Sequence, residues 1–398
     1  MRRMLHRFRA SLLVVLASVA IAQKPAIETA WQLIAQGKQA QAVTLLRDLI
    51  RTEPRNADAR LLLGSILMED GQRAESIAQL TEAVRLLPKS AEAHNALGEA
   101  YNAFAENAEA RPEFERAVAL DPRHAQAHVN LAAILLQQGD GSHAIPHLDQ
   151  AIRLFGRKAD AAYPHYLRAK LYSDERDPAK AAAELQQAVE LRPDYAEAWS
   201  DLGDARKNLA DSKGAMTALR RAVALSPEGA VAQARLGALL LDTGAAHEAV
   251  EHLDAAVRLD PKNQSALNAL QRALRQDGQV ERADAAKKRL AEVILERDEG
   301  DQRLVAATEI NNRGAELEKA GDVRGALVKY RAAVELLPDH VGMRVNLAVA
   351  LLKLGNWQEG IAQMRDALRR DPGNSQVQKA LEDALAQAKA HGIVVPKP

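Results

Sequence analysis

The chain has 398 residues, 47% of them hydrophobic but only 3% aromatic, so its large apolar content is mostly Ala and Leu. Lys+Arg and Asp+Glu both number 53, and Arg2, Arg3, Arg7 and Arg9 cluster at the start, which leaves the rest slightly acidic and argues against a nucleic-acid partner. The chain has no cysteine, which excludes disulfides, a thiol nucleophile and a cysteine-linked lipid anchor.

The first 22 residues stand apart. MRRMLHRFRA is basic, SLLVVLASVAIA is apolar, and Ala20-Ile21-Ala22 closes the stretch. This pattern predicts a cleaved secretory signal over 1–22 and an exported, periplasmic or secreted bacterial protein. The apolar block is too short for a comfortable transmembrane helix, so no stable membrane insertion is expected after cleavage. An Arg-rich organellar transit peptide is the competing reading, because no acid precedes Glu28; such peptides, however, are amphipathic rather than apolar in one block. Arg2-Arg3 leaves the choice between a Sec and a twin-arginine signal open.

From Gln23 onward the good helix formers dominate, and the chain repeats itself. HVNLAAILLQQGD begins at His128 and RVNLAVALLKLGN at Arg344. Pro54, Pro88 and Pro122 are 34 residues apart, as are Pro193, Pro227 and Pro261, and again Pro338 and Pro372. Each proline ends an apolar helical stretch. Between them lie two helical patterns and a turn, often marked by Gly (Gly71, Gly139, Gly244). Each unit is too small to bury its own apolar face, so stacked copies must share one core.

A helix–turn–helix unit of 34 residues resembles the tetratricopeptide repeat (TPR) family. With repeats starting at 23, 57, 91, 125, 162, 196, 230, 264, 307 and 341, the family pattern recurs. Position 8 is small (Gly64, Gly98, Ala132, Gly203, Gly237), as are positions 20 (Ala110, Ala215) and 27 (Ala117, Ala222). Position 24 is bulky (Leu80, Phe114, Leu219, Tyr330). Small residues at these places let the two helices of a repeat approach closely. The resemblance implies an all-α, right-handed α-solenoid of about ten repeats with a C-terminal capping helix. Repeats 1–8 would occupy 23–298 and repeats 9–10 would occupy 299–374, after an irregular joint where Gly300 is expected to break the helix. Residues 375–398 would form the capping helix, with Ser375 as its cap, and a mobile IVVPKP tail.

Motifs for chemistry are lacking. His124 and His128, like His143 and His147, are spaced as metal ligands on one helix face. Yet His94, His128 and His165 all fall at position 4, where the resemblance implies a packing ring such as Trp199, and no carboxylate or Cys motif completes a site. HEAVEH has one residue too many for H-E-x-x-H, so its two rings diverge. No nucleophile elbow, P-loop or dinucleotide fingerprint occurs. The expectation is a non-enzyme with no cofactor and no metal.

The resemblance places positions 2, 5, 6, 9, 12 and 13 of each first helix on an inner, concave surface. The repeat region of O-linked N-acetylglucosamine transferases carries Asn at position 6, which implies binding of extended peptide backbones. Here position 6 holds Asn130, Asn312 and Asn346, with Asp201 as an acidic substitute. The competing reading is that these Asn side chains bond a neighbouring turn. Tyr163 and Tyr166, at positions 2 and 5, are candidate anchors for a ligand or else fillers beside the irregular turn before them. Lys170 and Arg272 at position 9, with Asp204, complete the candidate peptide-binding set. The mixture of Lys207, Arg272, Arg275 and Lys319 with Asp174, Asp204 and Glu318 suggests a polar peptide rather than an apolar helix, although solvated charge is the default reading. The expected function is a protein-binding scaffold of the cell envelope. The alternative is an accessory subunit serving an enzyme or exporter in trans, in polysaccharide export or protein glycosylation.

Overall fold

The protein is described by a computed structural model covering residues 25–395. The expected signal (1–22) and the last residues of the expected tail lie outside the described residues. The chain forms two compact units, one ending at Pro227 and the other beginning at Glu228. Among the described residues there are twenty α-helices and no strand.

The first unit contains six helix pairs. They are α1 (Pro25–Ala35) with α2 (Gln39–Thr52), α3 (Ala57–Glu69) with α4 (Arg73–Leu86), and α5 (Ala91–Ala103) with α6 (Asn107–Leu120). Next come α7 (Ala125–Gln137) with α8 (Gly141–Phe155), α9 (Ala162–Asp174) with α10 (Pro178–Leu191), and α11 (Ala196–Asn208) with α12 (Ser212–Leu225). A 3-10 turn, Ala159–Ala161, fills the longer connection before α9. The second unit contains α13 (Ala230–Asp242) with α14 (Ala246–Leu259), α15 (Gln264–Gln276), α16 (Val280–Lys319), α17 (Val323–Leu336), α18 (Val341–Lys353) with α19 (Trp357–Arg370), and α20 (Ser375–Ala390). Within each unit a helix packs on its partner and on the next pair, and first helices of neighbouring repeats also touch, as α3 does α5 and α13 does α15.

The small-against-large rule has a direct steric basis. A Cβ added at Gly64 would lie 2.5 Å from Leu80, at Gly98 2.7 Å from Phe114, at Gly203 2.5 Å from Leu219, at Gly237 2.5 Å from Leu253, and at Gly314 2.8 Å from Tyr330. The position-24 side chain therefore occupies the space a position-8 side chain would need. It is sealed in the core: Leu80, Phe114 and Leu253 are wholly buried. Burying each such side chain contributes roughly 1.5–3 kcal/mol. Ser76, the variant at position 20, keeps its buried hydroxyl satisfied by donating to the Gly64 carbonyl at 2.8 Å.

The turn inside each repeat ends its first helix with a left-handed residue at position 15. After α7, Gly139 (φ 76°) holds that conformation while Asp140 N donates to Leu135 O at 2.8 Å and Gly139 N to Leu136 O at 3.0 Å. This pattern satisfies two orphan helix carbonyls and suits Gly. Three repeats do without it: Ala105, Arg176 and Ala210 adopt φ near 60°. Those side chains carry backbone strain.

Two expectations are corrected. Gly300 does not break the helix: α16 runs unbroken for 40 residues, from the second helix of repeat eight through the first helix of repeat nine, about 60 Å at 1.5 Å per residue. Ending a helix strands carbonyls and N–H groups that need caps, whereas one interior Gly costs only about 1 kcal/mol. No proline lies between Pro261 and Pro338 to force the break. The joint at 298–306 is therefore helix. The last helix is capped by Asn374, whose side chain accepts from Val377 N at 3.1 Å, rather than by Ser375.

Candidate functional site

Positions 2, 5, 6 and 9 of a first helix are spaced to share one face. The structure links these faces sideways through a recurring contact in which position 6 of one repeat meets position 5 of the repeat before it. Asn130 on α7 donates to Asn95 Oδ1 on α5 at 2.9 Å. Asn346 on α18 donates to Asn311 Oδ1 on α16 at 3.0 Å. The Tyr166 hydroxyl on α9 hydrogen-bonds Asp201 on α11. Of the four position-6 candidates, only exposed Asn312 stands outside this pattern of contacts.

The densest part lies between α5 and α7. Asn130 Nδ2 also donates to Glu99 Oε1 at 2.8 Å, and Asn95 Nδ2 donates to the same oxygen at 3.0 Å. Gln126 Nε2 donates to Asn130 Oδ1 at 2.9 Å, and His124 Nε2 lies 3.0 Å from Glu92 Oε2. Both amide hydrogens of Asn130 are thus committed within the protein. Asn130 does not present a free amide to a ligand backbone; it positions Asn95 and Glu99. Glu99 keeps some accessible surface but is hemmed in by protein around its carboxyl group. That burial pushes its pKa up to about 7; the amides of Asn130 and Asn95 oppose the rise, the Glu92 charge adds to it, and His124 lowers it.

The tyrosines come next along the face. Tyr163 and Tyr166 are half-buried and pack on the buried cluster of Ala162, Leu185 and Leu202. The Tyr166 ring lies 5.0 Å from that of Tyr195 at a 42° tilt. Burial and the Asp201 carboxylate raise the Tyr166 hydroxyl's pKa above the ordinary tyrosine value. The two tyrosines are thus held by this packing and still keep an accessible edge. Lys170 is exposed and Asp204 is half-buried on the same unit. Arg272, Asn312 and Asn346 belong to the second unit, and Arg272 and Asn312 are exposed there.

The position-4 rings His94, His128 and His165 are buried, as expected of packing residues, and where position 4 is polar it also forms a hydrogen-bonding latch. Its side chain reaches back six residues to the carbonyl of the repeat-ending proline: His128 Nε2 to Pro122 O at 3.1 Å, Trp199 Nε1 to Pro193 O at 3.0 Å, Arg60 Nη2 to Pro54 O at 2.8 Å. It also reaches nineteen residues forward to the second helix: His94 to Glu113 at 2.6 Å, His165 to Glu184 at 2.6 Å, Arg344 to Gln363 at 2.6 Å. In repeat four the partner is another imidazole, His147, at 2.9 Å from His128. Pro122 O can only accept, so His128 carries its proton on Nε2 and accepts at Nδ1 from His147. Burial lowers the pKa of both rings. The i,i+4 pairs suggested by sequence are not brought together: His124 caps α7 and meets Glu92, and His143 meets Asp140. Among the described residues no group of three or more His, Asp or Glu is placed to hold a metal ion. Nor is any described helix long and apolar enough to cross a membrane.

Comparison with known proteins gives the family. Two tetratricopeptide repeat signatures match, one over residues 33–100 and 317–387, the other over 103–164, 166–206 and 200–264, together more than half of the chain. The BBSome complex member bbs-4 of Caenorhabditis elegans is 31% identical over 91 residues, 23% of this chain and 20% of that protein. The chain thus spans about a fifth of that relative's length. The structure of pilF from Pseudomonas aeruginosa superposes with a TM-score of 0.50 at 20% identity, covering 55% of this chain and 97% of that one. YrrB, described as a TPR protein with an unusual peptide-binding site, gives a TM-score of 0.41 at 22% identity, covering 48% of this chain and 96% of its own. At its identity the pilF structure speaks to the fold alone. The repeat signatures, the small-against-large packing and the paired helices together make the chain a member of the tetratricopeptide repeat family, whose members generally serve as protein-binding scaffolds.

Proposed function

We propose that this protein is a non-catalytic scaffold, exported to the bacterial periplasm or cell envelope, that holds an extended protein segment on the first-helix face of its first unit. The observation that carries the reading is the sideways bonding of Asn95, Glu99 and Asn130, continued by Tyr166 and Asp201. These bonds fix side chains before a ligand arrives, which cuts the ordering cost of binding. The accessible edges of Tyr163 and Tyr166 supply aromatic anchor area, and Lys170 and Asp204 supply polar contacts beside them. Export rests on the basic, then apolar, then Ala20-Ile21-Ala22 pattern.

The test is capture from a native envelope extract on immobilised protein beginning at Gln23, against a Tyr163→Ala/Tyr166→Ala variant whose helicity is checked by circular dichroism. Proteins retained by the parent and lost by the variant support the face; identical capture by both refutes it. Fusing residues 1–22 to a reporter tests export separately. Periplasmic reporter cleaved after Ala22 is the expected result, and uncleaved cytoplasmic reporter contradicts it.

A further inference from the structure

On the peptide-binding reading above, we propose that the bound segment is basic: a Lys or Arg side chain seats against Glu99 between α5 and α7, and the acidic first-helix face of repeats three to six selects for further positive charge.

Glu99 is fixed by neutral groups. Both amide donors, Asn95 Nδ2 and Asn130 Nδ2, meet Oε1, and Oε2 takes neither. The charged or titratable groups that act on it are Glu92, on its own helix, and His124 at the start of α7, which is itself bonded to Glu92. Elsewhere in the first unit carboxylates bridging two helices meet a guanidinium or an imidazole, as Glu113 meets His94 at 2.6 Å. Glu75 meets Arg47 at 2.7 Å, Glu184 meets Arg168 at 2.8 Å, and Glu106 meets Arg73. A buried carboxylate without a cation is costly, and a cation from outside would supply the missing term. The charge around it points the same way. On the first-helix faces of repeats three to six, Glu92, Glu99, Asp174, Glu197, Asp201 and Asp204 face only Lys170 and Lys207 as positive charges. The protein also shows how its aromatic rings take a cation: the Arg192 guanidinium lies 5.2 Å from the Tyr195 ring centroid, and Lys180 Nζ 5.3 Å from that of Tyr172. The accessible edges of Tyr163 and Tyr166 can hold the stem or head of a second basic side chain in the same manner.

The experiment is selection of a phage-displayed library of short random peptides on the full chain, followed by fluorescence-polarisation titration of the enriched peptides. Enrichment of Lys and Arg over Asp and Glu is expected. Glu99→Gln keeps an acceptor for both amides and removes only the charge, so it should weaken those peptides by about tenfold, the scale of one charge-assisted hydrogen bond. Parent affinity should also rise from about pH 6 to about pH 8 as Glu99 ionises, and Glu99→Gln should flatten that rise. Unchanged melting or a gain in the variant excludes misfolding as the cause. Enriched peptides without basic bias, or peptides that bind Glu99→Gln as tightly as the parent, overturn this inference and leave the peptide-binding reading standing. Failure to enrich any peptide whose binding Tyr163→Ala/Tyr166→Ala weakens overturns both.

Discussion

The two units build different surfaces on one frame. In the first, the first-helix faces of repeats three to six are acidic and carry the amide network and two tyrosines. In the second, Arg235, Arg272, Arg275, Lys319 and Lys353 outnumber Asp242 and Glu318 on the corresponding positions. What looks in sequence like a mixture of charges is therefore sorted by unit. Yet the frame hardly changes: Gly203 meets Leu219 in the first unit as Gly237 meets Leu253 in the second, both at 2.5 Å from an added Cβ. Packing positions are fixed by steric necessity, whereas face positions differ in charge between the units.

Breaking the frame should hurt both units alike and most severely. Gly203→Leu and Gly237→Leu each force a side chain into space already filled, and each should cost about 3 kcal/mol in chemical denaturation. A much smaller loss in one unit would mean that its helices can move apart.

The next effect belongs to the first unit alone. Glu99 has a folded pKa near 7, above its unfolded value near 4.5. Its contribution to stability is therefore greatest in acid and is lost as pH rises from the unfolded value through the folded one. Glu99→Gln should stabilise the protein at about pH 8 by on the order of 2 kcal/mol and do little at about pH 4. The same gain at both pH values would show that burial of the charge is not the cause.

Smaller effects come from the backbone. Ala210→Gly relieves a left-handed alanine in the first unit, while Gly244→Ala installs one at the same position in the second. The first should raise stability by about 1 kcal/mol and the second lower it by as much, read from melting curves. In the second unit, Gly300→Ala should raise stability by up to about 1 kcal/mol, since a Cβ there meets nothing within 4 Å inside a continuous helix. Destabilisation by that change would restore the broken-helix reading of the joint.

The repeat frame was legible because it is local and periodic: a 34-residue ruler of prolines, a small residue at position 8 and a large one at 24 leave few alternatives. The face was only half legible. Asn130, Tyr166 and Asp201 stand out by position, but Asn95 and Glu99, their structural partners, do not. The signal was present in a form that single-position reading misses, because Asn95 and Asn130, Tyr166 and Asp201, and Asn311 and Asn346 are each 35 residues apart. Comparing position 5 of one repeat with position 6 of the next would have paired them. Position 4 was legible as a place for buried rings but not, for a related reason, as a hydrogen-bonding one. Its latch depends on a backbone carbonyl six residues back, which no side-chain pattern records. Gly300 was misjudged by treating a weak helix former as a stop signal.

The proposal that a protein segment binds the first-helix face of the first unit depends on where a bound peptide lies. Photo-crosslinking tests it most directly. A photoreactive residue would replace Ala133, at position 9 of α7, or Val328, which is 64% exposed on α17, with a display-selected peptide as the probe. The expected result is a peptide adduct at position 133, lost with Tyr163→Ala/Tyr166→Ala, and none at 328. An adduct at 328 without one at 133 would contradict it.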